Sequence, residues 1–291
     1  MAGAGSIGST MPRRELGRRL LKLRNDAGLT RHTAAKKLEW SEPKVWRIET
    51  GQIALRTHDV ELMCRIYGAD EETTVALVAL APETRTKDWW RVYAEAIPQG
   101  LDLLFGLELG ASEFRWWEPQ LVPGVLQTER YARTVVQGDG SLTSDEIELR
   151  VRARLDRQSL LFNRVDPPRF SFVIDEDALN RPVGPDMMRE QLHRLDELSS
   201  GPEYVSLRVV PRSAGLHEGM AGQFTILDFP TSRSGFGEPT TVYSDGWITP
   251  LYYTKSQEVD RYIAAFDHLR VRSLDEEASR ELIRQYMGDL T

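Results

Sequence analysis

The chain has 291 residues, of which 41% are hydrophobic and 28% charged, an ordinary composition for a globular protein with room for two domains. Its single cysteine excludes an internal disulfide, and no group of Cys and His residues has the spacing of a zinc site. No segment is long and apolar enough for a membrane helix or for the apolar part of a secretory signal, so we expect a cytoplasmic protein with a disordered tail over residues 1–11.

Charge is divided unevenly along the chain. The formal net charge is −7, yet residues 1–58 hold 12 Lys and Arg against 5 Asp and Glu. A basic module on an acidic body is typical of a protein that contacts nucleic-acid phosphates locally. Charge alone equally allows the alternative that these basic residues only solvate one face of a domain.

Apolar residues recur with helical spacing in the first 81 residues. Leu16, Leu20 and Leu23 form one stripe on a helix that carries six basic side chains, and Gly28 ends that helix. Residues suited to capping then precede two short helices. Five helices are expected, over 13–27, 31–38, 42–50, 60–67 and 71–80.

Two short helices joined by a tight turn predict a helix-turn-helix motif, whose second helix enters the major groove of DNA. Because Val45 and Ile48 must face the core, Glu42, Lys44 and Arg47 are expected to point outward. Arg47 suits guanine O6 and N7, Glu42 suits cytosine N4, and Lys44 suits a phosphate or a guanine. The competing interpretation is a helical bundle with a solvated charged face.

The segment from Gly28 to Gln52, GLTRHTAAKKLEWSEPKVWRIETGQ, resembles the XRE-type, or lambda-repressor-like, helix-turn-helix family. Its apolar, capping and glycine positions all fall in the register of that family. The resemblance implies base contacts from Arg31, Glu42, Pro43 and Arg47 and phosphate contacts from Thr30, Lys44 and Gln52.

Three residues depart from the family pattern. Glu39 stands where a glycine usually makes the turn, so we expect a positive φ there, which costs about 1 kcal/mol in a non-glycine residue. Ala34 replaces a larger aliphatic residue. Trp46 replaces a small serine, and we expect it to pack on a neighbouring domain; a contact with the DNA backbone is the alternative.

A polar hinge at 82–87 predicts a domain boundary, with the helix-turn-helix domain over 12–82 and a second domain over 83–291. The aromatic-rich segment that follows is expected to be helical; it contains Trp89, Trp90, Trp116 and Trp117. Later helices are expected over 128–136, 144–161, 186–198, 255–269 and 274–286, and strands over 169–174, 205–210, 223–229, 240–243 and 251–253. This pattern predicts an α+β fold for the second domain, with a small sheet covered by helices, beside the all-α five-helix bundle.

The second portion resembles an actinobacterial domain of unknown function that follows such helix-turn-helix modules in WhiJ-like and Scr-type antitoxin-like regulators. The segments that carry the resemblance are VPGVLQTERYAR (122–133), RLDRQ (154–158), FSFVIDEDALNRPVG (170–184), LRVVP (207–211) and GQFTIL (222–227). The resemblance implies a transcriptional regulator, often paired with a small partner protein, with antitoxin-like behaviour.

Signals for chemistry in the second domain are weak. His217 and Glu218 lie in a glycine-rich loop, which is more often a solvated turn than a catalytic or metal site. The carboxylates at 175–177 precede a helical stretch and suit its N-terminus. Surface or internally satisfied positions are expected for His193 and His268. The tryptophans are interpreted as core residues, with an aromatic lining for a small ligand as the alternative.

The sequence therefore predicts a sequence-specific transcriptional regulator rather than an enzyme, without cofactor or metal. Its expected partners are double-stranded operator DNA, a second copy of the chain, and a protein or small-molecule signal received by the C-terminal domain. The alternative is an antitoxin-like interaction module that masks a small partner protein and regulates its own synthesis.

Overall fold

The computed structural model describes residues 8–231, 237–246 and 248–290. Contacts between residues divide the chain into two compact units. Unit 1 comprises Met1–Val92, Phe105–Gly110 and Pro230–Glu238, and unit 2 comprises Tyr93–Leu104, Ala111–Phe229 and Pro239–Thr291. Unit 1 therefore holds the predicted helix-turn-helix domain together with two later segments of the chain.

Five α-helices form the N-terminal part of unit 1. They are α1 (Thr10–Asp26), α2 (Arg31–Leu38), α3 (Glu42–Glu49), α4 (Thr57–Tyr67) and α5 (Glu71–Leu80). All five predicted helices are confirmed, and α2 and α5 have the expected bounds. Residues 1–7 of the expected tail lie outside the described residues, whereas Ser9 is buried and its N–H donates to Asp88 Oδ1 at 2.7 Å.

Local sequence fixes both ends of α3. The Ser41 hydroxyl accepts a hydrogen bond from the Lys44 N–H at 3.3 Å, which satisfies a backbone donor that has no partner inside the helix. At the other end, Gly51 has a φ of 71°, and the next N–H, of Gln52, donates to the Arg47 carbonyl at 2.8 Å. This left-handed glycine turn ends the helix after two turns.

The stripe predicted on α1 lies in the core of the bundle. Leu16 and Leu20 are fully buried, and they share one apolar cluster with Val45, Ile48 and Met63 from α3 and α4. Two apolar residues three apart on α3 thus face inward, as expected. The opposite face of α3 is left at the surface.

Unit 2 is a mixed sheet covered by helices. Its strands are β1 (Glu113–Glu118), β2 (Arg169–Asp175), β3 (Val205–Val210), β4 (Phe224–Asp228), β5 (Thr241–Ser244) and β6 (Leu251–Tyr253). In addition to α6 (Leu101–Gly110), which the two units share, the helices are α7 (Glu129–Gln137), α8 (Ser144–Phe162), α9 (Pro185–Ser199), α10 (Ser256–Arg272) and α11 (Glu276–Asp289).

The sheet order is β3-β2-β1-β4-β5-β6. Strands β1, β2 and β3 are parallel, and β4, β5 and β6 continue the sheet in antiparallel pairs. On one face, Phe170 of β2 stacks on Phe162 of α8, with ring centroids 4.8 Å apart. On the other face, Trp117 of β1 shares an apolar cluster with Phe266 and Leu269 of α10. Both faces are therefore covered, and the predicted α+β fold is confirmed.

Strand β1 corrects the sequence interpretation, because the segment with Trp116 and Trp117 is an inner strand and not a helix. Both its neighbours in the sheet come from later in the chain, and its run of bulky residues has no clear alternation. Trp90, Trp116 and Trp117 are at most 5% exposed, so the interpretation as core residues is confirmed for these three, whereas Trp89 is half-buried. Within the described ranges, no helix combines the length and apolar character needed to span a membrane.

Candidate nucleic-acid interface

The candidate interface is built on the turn between α2 and α3. Glu39 ends α2 with a φ of 58° and a ψ of 34°, so the positive φ expected at this position is confirmed. The next N–H, of Trp40, donates to the Ala35 carbonyl at 2.9 Å, which reproduces the glycine-type helix end with a glutamate. The tight turn fixes the direction in which α3 leaves α2.

The seven residues predicted to contact DNA lie on α2, on α3 or directly next to them. They are Thr30, Arg31, Glu42, Pro43, Lys44, Arg47 and Gln52, and all but the half-buried Lys44 are exposed. Thr30 also caps α2, because its hydroxyl accepts from the Thr33 N–H at 3.1 Å.

Four side chains meet in one surface depression. Arg31, Glu42 and Pro43, all predicted to contact bases, line it together with Trp46. Trp46 is 42% exposed, which does not support the predicted packing on a neighbouring domain. Sequence reasoning missed His32, whose Nδ1 lies 2.7 Å from Glu42 Oε1 and so holds this carboxylate in place.

The remaining predicted contacts extend along α3. The Lys44 ammonium lies 3.4 Å from the centre of the Trp40 ring, a cation–π contact that brings it over the turn. The Arg47 guanidinium stays at the surface and donates through Nε to the Pro43 carbonyl at 3.4 Å. Gln52 follows the glycine turn and lies beyond the end of α3.

A buried ion pair supports this surface from below. Arg24 of α1 donates to Glu49 of α3 through Nε at 2.6 Å and through a terminal nitrogen at 3.1 Å. The hydrogen bond to Glu49 raises the pKa of Arg24, and burial followed by the Glu49 charge raises the pKa of Tyr67. Arg31 Nε lies 3.8 Å from the same carboxylate. Glu49 therefore links α1, the start of α2 and the end of α3, although no short sequence spacing connects these residues.

Close backbone contact also fixes α3 on α1. A Cβ atom at Gly17 would lie 2.5 Å from the Ile48 carbonyl oxygen and 2.9 Å from that of Glu49. Only glycine leaves room for the end of α3 at this crossing. Gly17 is thus a positioning residue of the interface that the apolar stripe did not reveal.

The basic face of α1 is not a free phosphate-binding surface. Arg14 donates to the buried Glu238 at 2.7 Å, and Arg18 also pairs with this carboxylate. The same holds along the helix, where Arg13 pairs with Asp88, Arg19 with Glu15, Lys22 with Asp26 and Arg24 with Glu49. Much of the positive charge counted over residues 1–58 is therefore compensated on α1 by carboxylates of the chain itself.

Comparison with protein families agrees with the two-part architecture. A family described as helix-turn-helix domain matches residues 15–77, and the domain of unknown function DUF5753 matches residues 101–285. The second match covers more than half of the chain. The chain belongs to the DUF5753 family. It matches no curated protein and no solved structure.

The weaker candidates for chemistry, His217, Glu218 and the carboxylates at 175–177, lie in the DUF5753 domain. The predicted solvated turn is wrong for His217, whose buried side chain brings Nε2 to 3.4 Å from Asp175 Oδ2. Glu218 remains at the surface, with its Oε1 2.8 Å from His268 Nδ1. Asp175 caps the following helical turn by accepting from the Asp177 N–H at 2.9 Å, as expected for these carboxylates.

The remaining expectations concern His193, the four tryptophans and metal binding. His193 is exposed, as predicted, and lies 3.4 Å from Glu197 one helical turn away. Trp89 and Trp90 belong to unit 1 and Trp116 and Trp117 to unit 2, so neither unit contains all four tryptophans. In the part of the chain that the structure describes, no three His, Cys, Asp or Glu side chains are grouped to hold a metal ion.

Proposed function

We propose that this protein is a sequence-specific transcriptional regulator of the XRE type that inserts α3 into the major groove of duplex DNA. The observation that carries the proposal is the division of α3 into two faces. Val45 and Ile48 are at most 1% exposed, while Glu42 and Arg47 lie at the surface beside Arg31. A rigid helix with short polar and long cationic side chains on its outer face suits direct reading of base edges.

Each of the seven predicted contact residues has a role in this proposal. Arg31 and Arg47 donate to guanine, Glu42 accepts from cytosine N4 and Pro43 contacts a base edge by shape. His32 restricts the Glu42 carboxylate before DNA arrives, since the two side chains are 2.7 Å apart. Phosphate contacts come from Thr30, Lys44 and Gln52.

We further propose that two copies bind neighbouring half-sites about 34 Å apart. The recognition helix has only eight residues, so one copy presents few base contacts. The DUF5753 domain would then receive the regulatory signal, because it has its own sheet and core and no role in the proposed DNA contacts. Light scattering with and without an operator duplex tests the dimer, and a single copy bound at full affinity would contradict it.

Selection of bound fragments from the source genome tests the main proposal. The full chain should enrich a small set of fragments that share one motif, and the double variant Arg31→Ala/Arg47→Ala should enrich none. The double variant must keep the thermal unfolding temperature of the native chain, which excludes misfolding as the reason. A native chain that enriches no fragment above random DNA would overturn the assignment.

A further inference from the structure

A cavity of about 360 Å³ opens in unit 2, beside α10 and the ends of β4 and β6. This size is in the range of sites for small organic ligands. Its lining includes three aromatic rings and three charged side chains: Phe224, Tyr253, Tyr262, Glu218, Glu258 and Arg261. None of these residues belongs to the candidate DNA interface.

The aromatic residues form one continuous wall. The ring centres of Phe224 and Tyr262 are 5.1 Å apart in an edge-to-face arrangement, and those of Tyr253 and Tyr262 are 5.2 Å apart. Each ring therefore restrains the next, so the wall exists before any ligand arrives. Aromatic faces of this kind attract apolar groups and, through the ring quadrupole, cations.

Two carboxylates stand next to this wall. Hydrogen bonding to its own backbone N–H and to His268 holds the pKa of Glu218 below its usual range, so Glu218 is charged at neutral pH. Burial, a hydrogen bond with Tyr253 and the charge of Glu258 raise the pKa of Tyr262 to about 12. The phenol thus stays neutral and experiences the negative charge of Glu258.

The loop that carries Glu218 is held against the sheet. The Gly219 carbonyl accepts a hydrogen bond from Trp117 Nε1 at 2.8 Å. A Cβ atom at Gly219 would lie 2.6 Å from the Trp117 ring, so only glycine lets the loop approach this closely. The carboxylate of Glu218 is therefore presented to the cavity by an anchored segment.

We propose that this cavity binds a small organic cation, namely an ammonium compound with an aromatic or other flat apolar body. The apolar body packs on Phe224, Tyr253 and Tyr262, and the ammonium lies between the rings and the carboxylates of Glu218 and Glu258. The lining itself holds two carboxylates against one guanidinium, that of Arg261. Just outside it, Lys255 Nζ lies 3.8 Å from Glu258 Oε1 and His268 Nδ1 lies 2.8 Å from Glu218 Oε1, so the excess of negative charge belongs to the lining residues alone. Ligand binding here does not depend on the DNA-binding proposal; only an effect of the ligand on operator affinity would.

Calorimetric titration of the full chain with three matched compounds tests the proposed ligand class. The compounds are 2-phenylethylammonium, the neutral 2-phenylethanol and the anionic 3-phenylpropionate, which share one aromatic body. The ammonium compound should bind at least about tenfold more tightly than the other two, a difference of about 1.4 kcal/mol. Equal binding of all three, tighter binding of the carboxylate, or no saturation by the ammonium compound at millimolar concentration would overturn the proposal.

Variants of the lining give a second test that does not depend on one substitution folding well. Glu258→Gln should weaken ammonium binding about fivefold or more, while Glu281→Gln, at an exposed position on α11, should leave it unchanged. Arg261→Gln should preserve or strengthen it, because this change removes a positive charge from the lining. Loss of ammonium binding on Arg261→Gln, in a variant with native thermal unfolding, would show that the positive charge of Arg261 supports binding and would contradict the assignment. Operator affinity with and without saturating ammonium compound then tests regulation separately.

Discussion

Helices α1 and α3 both carry rows of charged side chains. Those on α1 are paired with carboxylates of the chain itself, whereas those on the outer face of α3 lie at the surface. On α1, Arg14 and Arg18 share the buried carboxylate of Glu238, and Arg24 is paired with Glu49 inside the bundle. On α3, Glu42 and Arg47 keep their charged groups at the surface. Similar residue types thus serve packing on one helix and are available for recognition on the other.

The difference shows that a count of basic residues does not measure a DNA-binding surface. A guanidinium that is already bonded to a buried carboxylate must lose that bond before it can reach a phosphate, and the carboxylate left behind would be a buried unpaired charge. The available cations are those whose tertiary partners are weak or absent. The predictions below test this distinction, from the largest expected effect to the smallest.

The largest effect is expected for Glu49→Gln, which leaves Arg24 buried without its anionic partner. Removal of one member of a buried ion pair typically costs about 3–5 kcal/mol. Chemical unfolding of the full chain, followed by a signal from unit 1, should show a loss of about that size together with loss of operator binding.

The control for this prediction is Glu61→Gln, at an exposed position on α4, which should change the free energy of unfolding by less than about 0.5 kcal/mol. The double variant Arg24→Met/Glu49→Leu should recover most of the stability, since apolar residues of similar size replace both charges. A stability loss as small as that of the control would mean that the pair does not hold α3 on α1.

The next effect concerns the protonation of a single carboxyl group. Glu118 at the end of β1 has its pKa raised to about 7, mainly because burial disfavours the charged form. The folded state therefore binds this proton more tightly than the unfolded chain. The contribution to stability is complete below the ordinary pKa of the carboxyl, is lost as pH rises through about 7, and amounts to about 3 kcal/mol.

Measurement of the free energy of unfolding of unit 2 at pH 5 and pH 8 checks this prediction. The glutamine of Glu118→Gln cannot ionise. The free energy of unfolding of this variant should therefore lack the decrease that Glu118 causes between pH 5 and pH 8, and it should exceed that of the native chain at pH 8. Glu281→Gln on α11 serves as the exposed control. If the free energy of unfolding of Glu118→Gln depends on pH in the same way as that of the native chain, burial does not raise the pKa of Glu118.

Much of this architecture follows from local patterns, because most helices begin at a capping residue and carry an apolar stripe. The outward direction of Glu42, Lys44 and Arg47 follows from the spacing of apolar residues on α3, whereas the full set of seven proposed contact residues depends on the family resemblance. The ion pairs that organise the surface do not follow from local patterns, because they join residues far apart in the sequence. Glu49 is 25 positions from Arg24, and Glu238 is 220 positions from Arg18. Strand β1 was missed for the same reason, since its place in the sheet depends on segments that come much later.

A smaller effect, on base discrimination, is expected for Arg47→Ala. Loss of a bidentate contact with guanine should reduce discrimination at one base pair by about 1–3 kcal/mol. Fluorescence anisotropy with a set of operator duplexes, each changed at one base pair, measures this. Arg19→Ala provides the comparison on α1, where Arg19 pairs with Glu15, and it should leave the pattern of discrimination unchanged. Identical patterns for Arg47→Ala and the native chain would show that α3 is docked differently.

The smallest effect is expected for Lys44→Ala. The ammonium is held over Trp40, 3.4 Å from the ring centre, so we expect it to contact a phosphate and carry no sequence information. The slope of log affinity against log salt should decrease by about 0.9, while the ranking of the operator variants stays the same. Lys22→Ala, which removes a lysine that is paired with Asp26 on α1, should leave the slope unchanged. A change in base preference for Lys44→Ala would mean that Lys44 reads a base, and equal slopes for the two lysine variants would remove the distinction between α1 and α3.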